Sequence, residues 1–400
     1  MVRKSWLIIM AILLLLGGAV FAQLDSKNPI RVAAIIPLSG GAFAEAGQEM
    51  RMGYLMAQSE INNSGGILGR KLELIIEDDQ CKPETGIAAY MRLLTRGNIT
   101  AFVGGYSSTI TYAQCNAVQN FEPLMVWIGA SSTTVEHSFG QKKWFFHMHP
   151  WDYHRQSTVT AFLESINPKP KTIALTYEDG IYGTTSADYF KKYAKEAGFT
   201  IVLDEPHKSG SSDFTSLLTK AKALKPDIFY DVSYAGDYIL QIKQAKEIGF
   251  NPKAFVIVAP MFPNYVESLG DIGDYVVGVN PWAPSLKLEG LDEWKERFAS
   301  LYPEKKSYEY WLPLAYTNLI TVAEGIKKAG STDKEKIIAA LEQLDIVTPF
   351  GRMKFEPSEE GGLHQCFTDL VMVQWQKQQP IVVFPKDIAG AAFVYPKPNF

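Results

Sequence analysis

Two stretches of this sequence combine the residue types that hold a small anion. Gly104-Gly105-Tyr106-Ser107-Ser108-Thr109 and Gly129-Ala130-Ser131-Ser132-Thr133-Thr134 each follow a short apolar run and lead through glycine and serine into a helical segment. Glycine lets a ligand approach the backbone and serine adds a hydroxyl donor. The unpaired N–H groups of a helix start favour negative charge, so the pair suits a carboxylate. Helix capping is the other use of the same residues.

Other chemistry finds less support. His147, His149 and His154, with Asp152 among them, carry the imidazole and carboxylate groups that zinc prefers. Their spacing matches no recognised ligand pattern, however, and a polar, aromatic hinge explains them equally well. The run Ser39 to Gly47 lacks the G-x-G-x-x-G spacing needed for close approach to a pyrophosphate, and there is no P-loop lysine. No nucleotide, metal or other cofactor is therefore expected. Without a G-x-S-x-G elbow or a reactive cysteine environment, an enzyme is not the expected reading.

The elements that must position these groups follow an α/β alternation. Buried-strand patterns at 31–37, 71–76, 100–104, 124–128 and 144–148 alternate with helical spacing at 46–62, 83–95 and 109–120. A second cycle after Pro150 has helices at 153–163, 184–197, 214–224 and 237–248 and strands at 172–176, 200–202, 228–231 and 254–258. The prediction is two doubly wound units, flavodoxin-like or Rossmann-like, of one architecture used twice. Helices at 291–301, 312–329 and 334–344 and two late strands must join one unit or the other.

The chain has 400 residues, 46% apolar and 20% charged, with 39 basic against 43 acidic side chains. That composition excludes disorder as the dominant state, and it lacks the basic excess that a nucleic-acid partner requires. Arg3 and Lys4 precede an apolar run from Trp6 to Leu16 and the small-residue end Val20-Phe21-Ala22-Gln23, the pattern of a cleavable secretory leader at 1–22. No cysteine follows for a lipid anchor, so release into the periplasm is expected. No second segment is long and apolar enough to span a membrane.

Several segments together resemble the periplasmic solute-binding proteins of ABC importers, in the family typified by the leucine/isoleucine/valine-binding proteins. They are Ile35-Ile36-Pro37-Leu38-Ser39-Gly40, Gly65-Gly66-Ile67-Leu68-Gly69-Arg70-Lys71-Leu72, Glu77-Asp78-Asp79, Asp213-Phe214-Thr215 and Lys225-Pro226-Asp227. The resemblance implies two lobes joined by three crossings, with the ligand cleft between them. Lobe one would comprise 28–150 and 282–369, and lobe two 151–281 and 370–400. It implies Ser108, with Ser107 beside it, and Ala130-Ser131 as the carboxylate anchors of lobe one, and Tyr182 and Tyr234 as closing aromatics of lobe two.

Two positions depart from an amino-acid-binding pattern. The acid that pairs a ligand ammonium would fall near Met261, where no carboxylate stands, and an aromatic pocket residue would fall near Ala46, which opens space. A buried ammonium without a partner is costly, so the ligand would carry a carboxylate or amide end and an apolar or aromatic body, unless Asp152, Glu178, Asp231 or Asp237 substitutes. The family often has a disulfide after the second strand. Cys81 sits there, but the usual partner position near Tyr106 and Ser107 is not cysteine, which leaves a Cys81–Cys115 bond open and Cys366 as an odd thiol.

The function expected is capture of a small ligand by a monomer and delivery to the permease subunits of an importer. A soluble sensor subunit for a membrane receptor is the nearest rival, and a secreted α/β hydrolase the more distant one.

Overall fold

The computed structural model describes residues 24–41, 43–262, 264–305, 309–366 and 369–400. The leader expected at 1–22 lies outside the described residues. The first unit alternates strictly: β1 (Asp25–Ile36), α1 (Ala44–Asn63), β2 (Arg70–Asp78), α2 (Pro83–Arg96), β3 (Ala101–Gly104), α3 (Ser108–Val118), β4 (Met125–Trp127), α4 (Thr133–Phe139) and β5 (Phe145–His147). Its five strands form a wholly parallel sheet in the order β2-β1-β3-β4-β5.

A continuous apolar run is what a strand covered on both faces needs. Val32, Ala34 and Ile36 of β1 enter the core shared with α1, while Ala33 and Ile35 enter the opposite core with Ala89, Tyr90 and Leu93 of α2. Each large aliphatic side chain buried this way contributes roughly 1.5–3 kcal/mol.

The second unit repeats the plan with α5 (Asp152–Ser165), β6 (Thr172–Glu178), α6 (Ile181–Glu196), β7 (Thr200–His207), α7 (Thr215–Leu224), β8 (Ile228–Val232), α8 (Ala235–Glu247), β9 (Ala254–Val258), α9 (Tyr265–Leu269) and β10 (Val277–Asn280). The parallel strands run β7-β6-β8-β9-β10, the same order as in the first unit. β7 extends five residues beyond the apolar Thr200–Val202 seen in the sequence. It is the edge strand, where one side needs no partner and Pro206 is tolerated, so its outer half alternates in exposure rather than reading as buried.

The chain then returns to the first lobe with α10 (Leu291–Leu301), α11 (Trp311–Ala329), α12 (Lys334–Glu342) and the hairpin β11 (Asp345–Thr348)–β12 (Gly351–Lys354). Leu291, Leu312, Leu319 and Ile337 pack in the same core as Val32. Helices α1 and α11 touch at Gly53, where a Cβ would lie 2.2 Å from the Leu312 carbonyl oxygen. Finally β13 (Val371–Gln376) and β14 (Gln379–Phe384) extend the second sheet, β13 antiparallel to β10. There are thus four late strands rather than two, and the chain passes between the lobes three times. No helix among the described residues is long and apolar enough to cross a membrane.

Candidate functional site

A cavity with about 50 Å³ open to the centre of a water-sized sphere lies where the carboxyl ends of the two sheets face each other. Lobe one contributes Tyr106, Ser108, Ser131, His149, Glu309, Tyr310 and Trp311, and lobe two contributes Arg155, Tyr182, Ser233 to Ala235, Tyr238, Val258 and Ala259. The lobes are in contact around it. Thr185 Oγ1 lies 3.0 Å from Ser132 Oγ, Asn264 Nδ2 donates to Glu45 Oε1 at 3.1 Å, and the Tyr189 hydroxyl donates to Glu360 Oε1 at 2.5 Å.

On the lobe-one side, β3 ends in Gly104 and Gly105 at φ 110° and 80°, and a Cβ on Gly105 would lie 2.1 Å from the Trp127 ring. Only glycine fits, and the turn it makes sets Tyr106 and Ser108 at the cavity. Ser107 is the N-cap of α3 but its side chain makes no capping bond, whereas Ser132 caps α4 by accepting from Thr134 N at 3.3 Å. The two serine motifs therefore divide the roles: capping holds for Ser132, while Ser108 lines the cavity. Its Oγ accepts from Ser132 N at 3.1 Å, which leaves its own O–H to donate.

Ser131 is prepared in a similar way. Arg155 Nη2 lies 2.9 Å from His149 Nε2, and a guanidinium has only donors, so Nε2 is the acceptor and the ring proton sits on Nδ1. Nδ1–H then donates to Ser131 Oγ at 3.2 Å, again leaving the serine O–H for a ligand. Burial, with Arg155 and His147 adding to it, drives the His149 pKa well below its ordinary value and keeps the ring neutral.

Buried carboxylates shape the lobe-two side without entering the cavity. Glu178 accepts from Gly180 N and Gly183 N, both at 2.8 Å, and so fixes the turn that carries Tyr182. Asp231 accepts from Thr176 Oγ1 at 2.5 Å and from Ser233 Oγ, and pairs with His207 Nε2 at 2.9 Å. Asp237 accepts from Gly210 N at 2.8 Å and is pushed up to about 6 by burial. The Tyr238 hydroxyl closes the Ser233 turn by donating to Ser233 O at 2.8 Å. The helix starts of α3, α6 and α8 all face the cavity through Ser108, Tyr182 and Ala235, and their dipoles add positive potential.

Aromatic rings wall the space between. Tyr106 stacks on Phe43 at 4.9 Å and contacts Trp311 at 4.7 Å, while Tyr234 lies 5.6 Å from Tyr182 and 6.1 Å from Tyr106 across the cleft. Two charged groups complete the lining. Arg155, 3% exposed, has no ion pair among the described residues. Glu309, 4% exposed, receives no hydrogen bond on its carboxylate from any described residue.

Of the residues singled out from the sequence, Ser108, Ser131, Tyr182 and Tyr234 line this cavity together, and five others lie elsewhere. Ser107 stands behind it, facing the Tyr234 hydroxyl. Ala130 is buried in the α2–α3 core, and its N–H is consumed by Tyr106 O at 2.9 Å. Asp152 is buried outside the cavity, accepting from Ser186 Oγ at 2.6 Å and from Thr185 Oγ1, and burial pushes it up to about 7. Met261 packs with Ala283, Val371, Val373 and Val382, two residues beyond the end of the lining at Val258-Ala259. Ala46 points into the lobe-one core, and Phe43, one turn earlier, supplies the aromatic ring expected there.

None of Asp152, Glu178, Asp231 and Asp237 is the cavity's acid; Glu309 is. Sequence reasoning missed Arg155, Glu309, Tyr310 and Trp311. The signal for the last three was an acidic residue followed by two aromatics immediately before a long apolar helix.

The histidines do not converge on one point. His147 is held by Gln365 Oε1 at 2.9 Å and Gly129 O at 2.8 Å, and His154 Nδ1 accepts from Trp151 N at 3.1 Å. The open Cys81–Cys115 question is also decided, because all three cysteines are free. Cys81 Sγ donates to Gly40 O at 2.6 Å, while Cys115 is buried beside Phe102 and Val118.

Residues 29–380 match the model of the family described as periplasmic binding protein, and the chain belongs to that family of solute-binding proteins. It is 28% identical over 355 residues, 88% of this chain and 91% of the relative, to a leucine-, isoleucine-, valine-, threonine- and alanine-binding protein of Pseudomonas aeruginosa. Among solved structures it is similar to a leucine-binding protein from Thermotoga maritima, with a TM-score of 0.79, 19% identity and coverage of 90% of this chain and 99% of that one. It is also similar to an ABC-transporter solute-binding protein from R. palustris in complex with benzoate, with a TM-score of 0.75, 16% identity and coverage of 89% and 95%. At these identities the structural likenesses establish the fold, two doubly wound lobes with a cleft between them.

Proposed function

We propose that this protein captures, outside the cytoplasm, a small ligand with a carboxylate or amide end and an aromatic or otherwise apolar body, and delivers it as a monomer to the permeases of an ABC importer. The observation that carries this reading is the convergence of three donors, Ser108, Ser131 and Arg155, on a cavity walled by Tyr106, Tyr182, Tyr234 and Trp311. Carboxylate oxygens accept several such bonds at once, and a flat apolar body fits between rings. In this reading lobe one comprises 28–150 and 282–369, lobe two comprises 151–281 and 370–400, and sheet membership supports the division.

Turnover is not expected, although Ser131 and His149 are adjacent. The ring nitrogen facing Ser131 carries the proton and Arg155 occupies the other, so the imidazole cannot accept the serine proton. Isothermal titration of the ligand-free protein with benzoate, benzamide, L-leucine and L-valine tests the reading. Benzoate or benzamide is expected to bind, and Ser108→Ala to weaken that binding about tenfold or more. Tight binding of leucine with no response to the aromatic acid or amide would refute it.

A further inference from the structure

Glu309 lines the cavity at the approach to α11 and is 4% exposed. Its N–H donates to Glu49 Oε2 at 3.2 Å, and Glu49 is itself paired with Lys305 Nζ at 2.5 Å, so the nearby cation is already committed. The charges that act on Glu309 are Glu49 and Glu45, which repel it, and Lys305, which is shared. Burial, reinforced by those two acids, raises its pKa well above the ordinary carboxyl value and favours its neutral form.

The cavity's cation sits in different company. Arg155 is surrounded by His149, Tyr310, Tyr182 and Asp152, and it does not pair with Glu309 although both face the same space. Arg155 is not among the charges that act on Glu309, nor Glu309 among those that act on Arg155, so the two groups stand apart in the cavity. The rings of Tyr106, Tyr310 and Trp311 line the same space, with Tyr310 and Trp311 centroids 4.6 Å apart and Tyr106 4.7 Å from Trp311.

We infer that Glu309 recognises a cationic nitrogen at the far end of the ligand, so that the preferred ligand is a zwitterion whose carboxylate and ammonium are separated by a flat apolar body. The inference rests on the carboxylate reading proposed above and adds the second end. An α-amino acid carries both charges on one carbon and cannot satisfy Arg155 and Glu309 together. A carboxylate without the cation leaves Glu309 protonated and without a partner. Binding of the zwitterion ionises Glu309 against the ammonium, so the carboxyl proton leaves to solvent as the ligand enters.

The test is isothermal titration of wild type, Glu309→Gln and Glu309→Asp with benzoate, 4-(aminomethyl)benzoate and L-phenylalanine, each in two buffers of different ionisation enthalpy. Wild type is expected to bind 4-(aminomethyl)benzoate at least about tenfold more tightly than benzoate, with proton release for the first ligand only. That ratio falls to about one in E309Q, and E309D, which keeps the carboxylate, retains part of it. Equal binding of the two benzoates, a preference that survives in E309Q, or tighter binding of phenylalanine overturns the inference and leaves the carboxylate reading standing. Failure of all three ligands to bind overturns the carboxylate reading and the inference with it.

Discussion

Arg155→Met separates a binding group from a structural strut, because the two roles predict opposite outcomes. The guanidinium is 3% exposed and has no carboxylate within ion-pair distance among the described residues; it is bonded to His149 Nε2 at 2.9 Å and to Tyr310. Burying a cation without an ion pair costs several kcal/mol, but Tyr310, Tyr182 and Asp152 oppose that cost and leave the Arg155 pKa above its ordinary value. Methionine fills a similar volume without the charge, and the lost bond to His149 is worth about 1 kcal/mol. The ligand-free variant is therefore expected to melt within a few degrees of wild type. A charge-assisted bond to a ligand carboxylate is worth about 1.5–3 kcal/mol, so its loss weakens benzoate binding roughly ten- to 150-fold. Calorimetric melts with and without benzoate, combined with isothermal titration, measure both quantities on one preparation. A variant that melts several degrees lower and binds benzoate as tightly as wild type would refute the reasoning.

His207 should impose a pH dependence. Burial alone would lower its pKa, but the Asp231 carboxylate overrides this and holds it at about 9, against an ordinary 6.5. A raised folded-state pKa contributes stability that is complete below pH 6.5 and is lost as pH rises through 9, up to about 3 kcal/mol. Urea unfolding of wild type and His207→Gln between pH 6 and pH 10 should show a steeper alkaline decline for wild type, and parallel curves would count against the pair. Gly53→Ala places a methyl 2.2 Å from the Leu312 carbonyl oxygen, so α1 and α11 must separate. The expected loss is about 1–3 kcal/mol in chemical denaturation, and an unchanged midpoint would contradict the close helix approach. Thiol titration without reductant should find three reactive groups in denaturant and at most Cys81 in the native protein, whereas a count of one in denaturant would mean a disulfide.

What could be read from the sequence is what local pattern encodes. The alternation of buried runs and amphipathic stretches marked most elements from β1 to α8, because a strand covered on both faces must be apolar along its length, while the start of β1 and the end of β7 ran five or six residues further than the apolar runs. Ser108 and Ser131 were legible because glycine and serine at a strand end are a short-range signal. Arg155 and Glu309 were not, since 153 intervening positions and a passage between the lobes separate them along the chain. Met261 and Ala46 were placed by resemblance, and a shift of two or three residues moves a side chain from the lining into a core. The histidine cluster could not be resolved for a related reason: nearness along the chain does not give direction, and His147, His149 and His154 point to different partners.

The interleaved path of the chain has a consequence for its birth. Lobe one lacks the helix that fills its core until Trp311–Ala329 has been made, and the second sheet lacks two of its seven strands until Val371–Phe384 has been made. A nascent chain emerging from its N-terminal end therefore cannot finish either lobe early, and most of its length must wait in a non-native state. Each lobe is completed only once its late segments are available, Trp311–Ala329 for the first and Val371–Phe384 for the second.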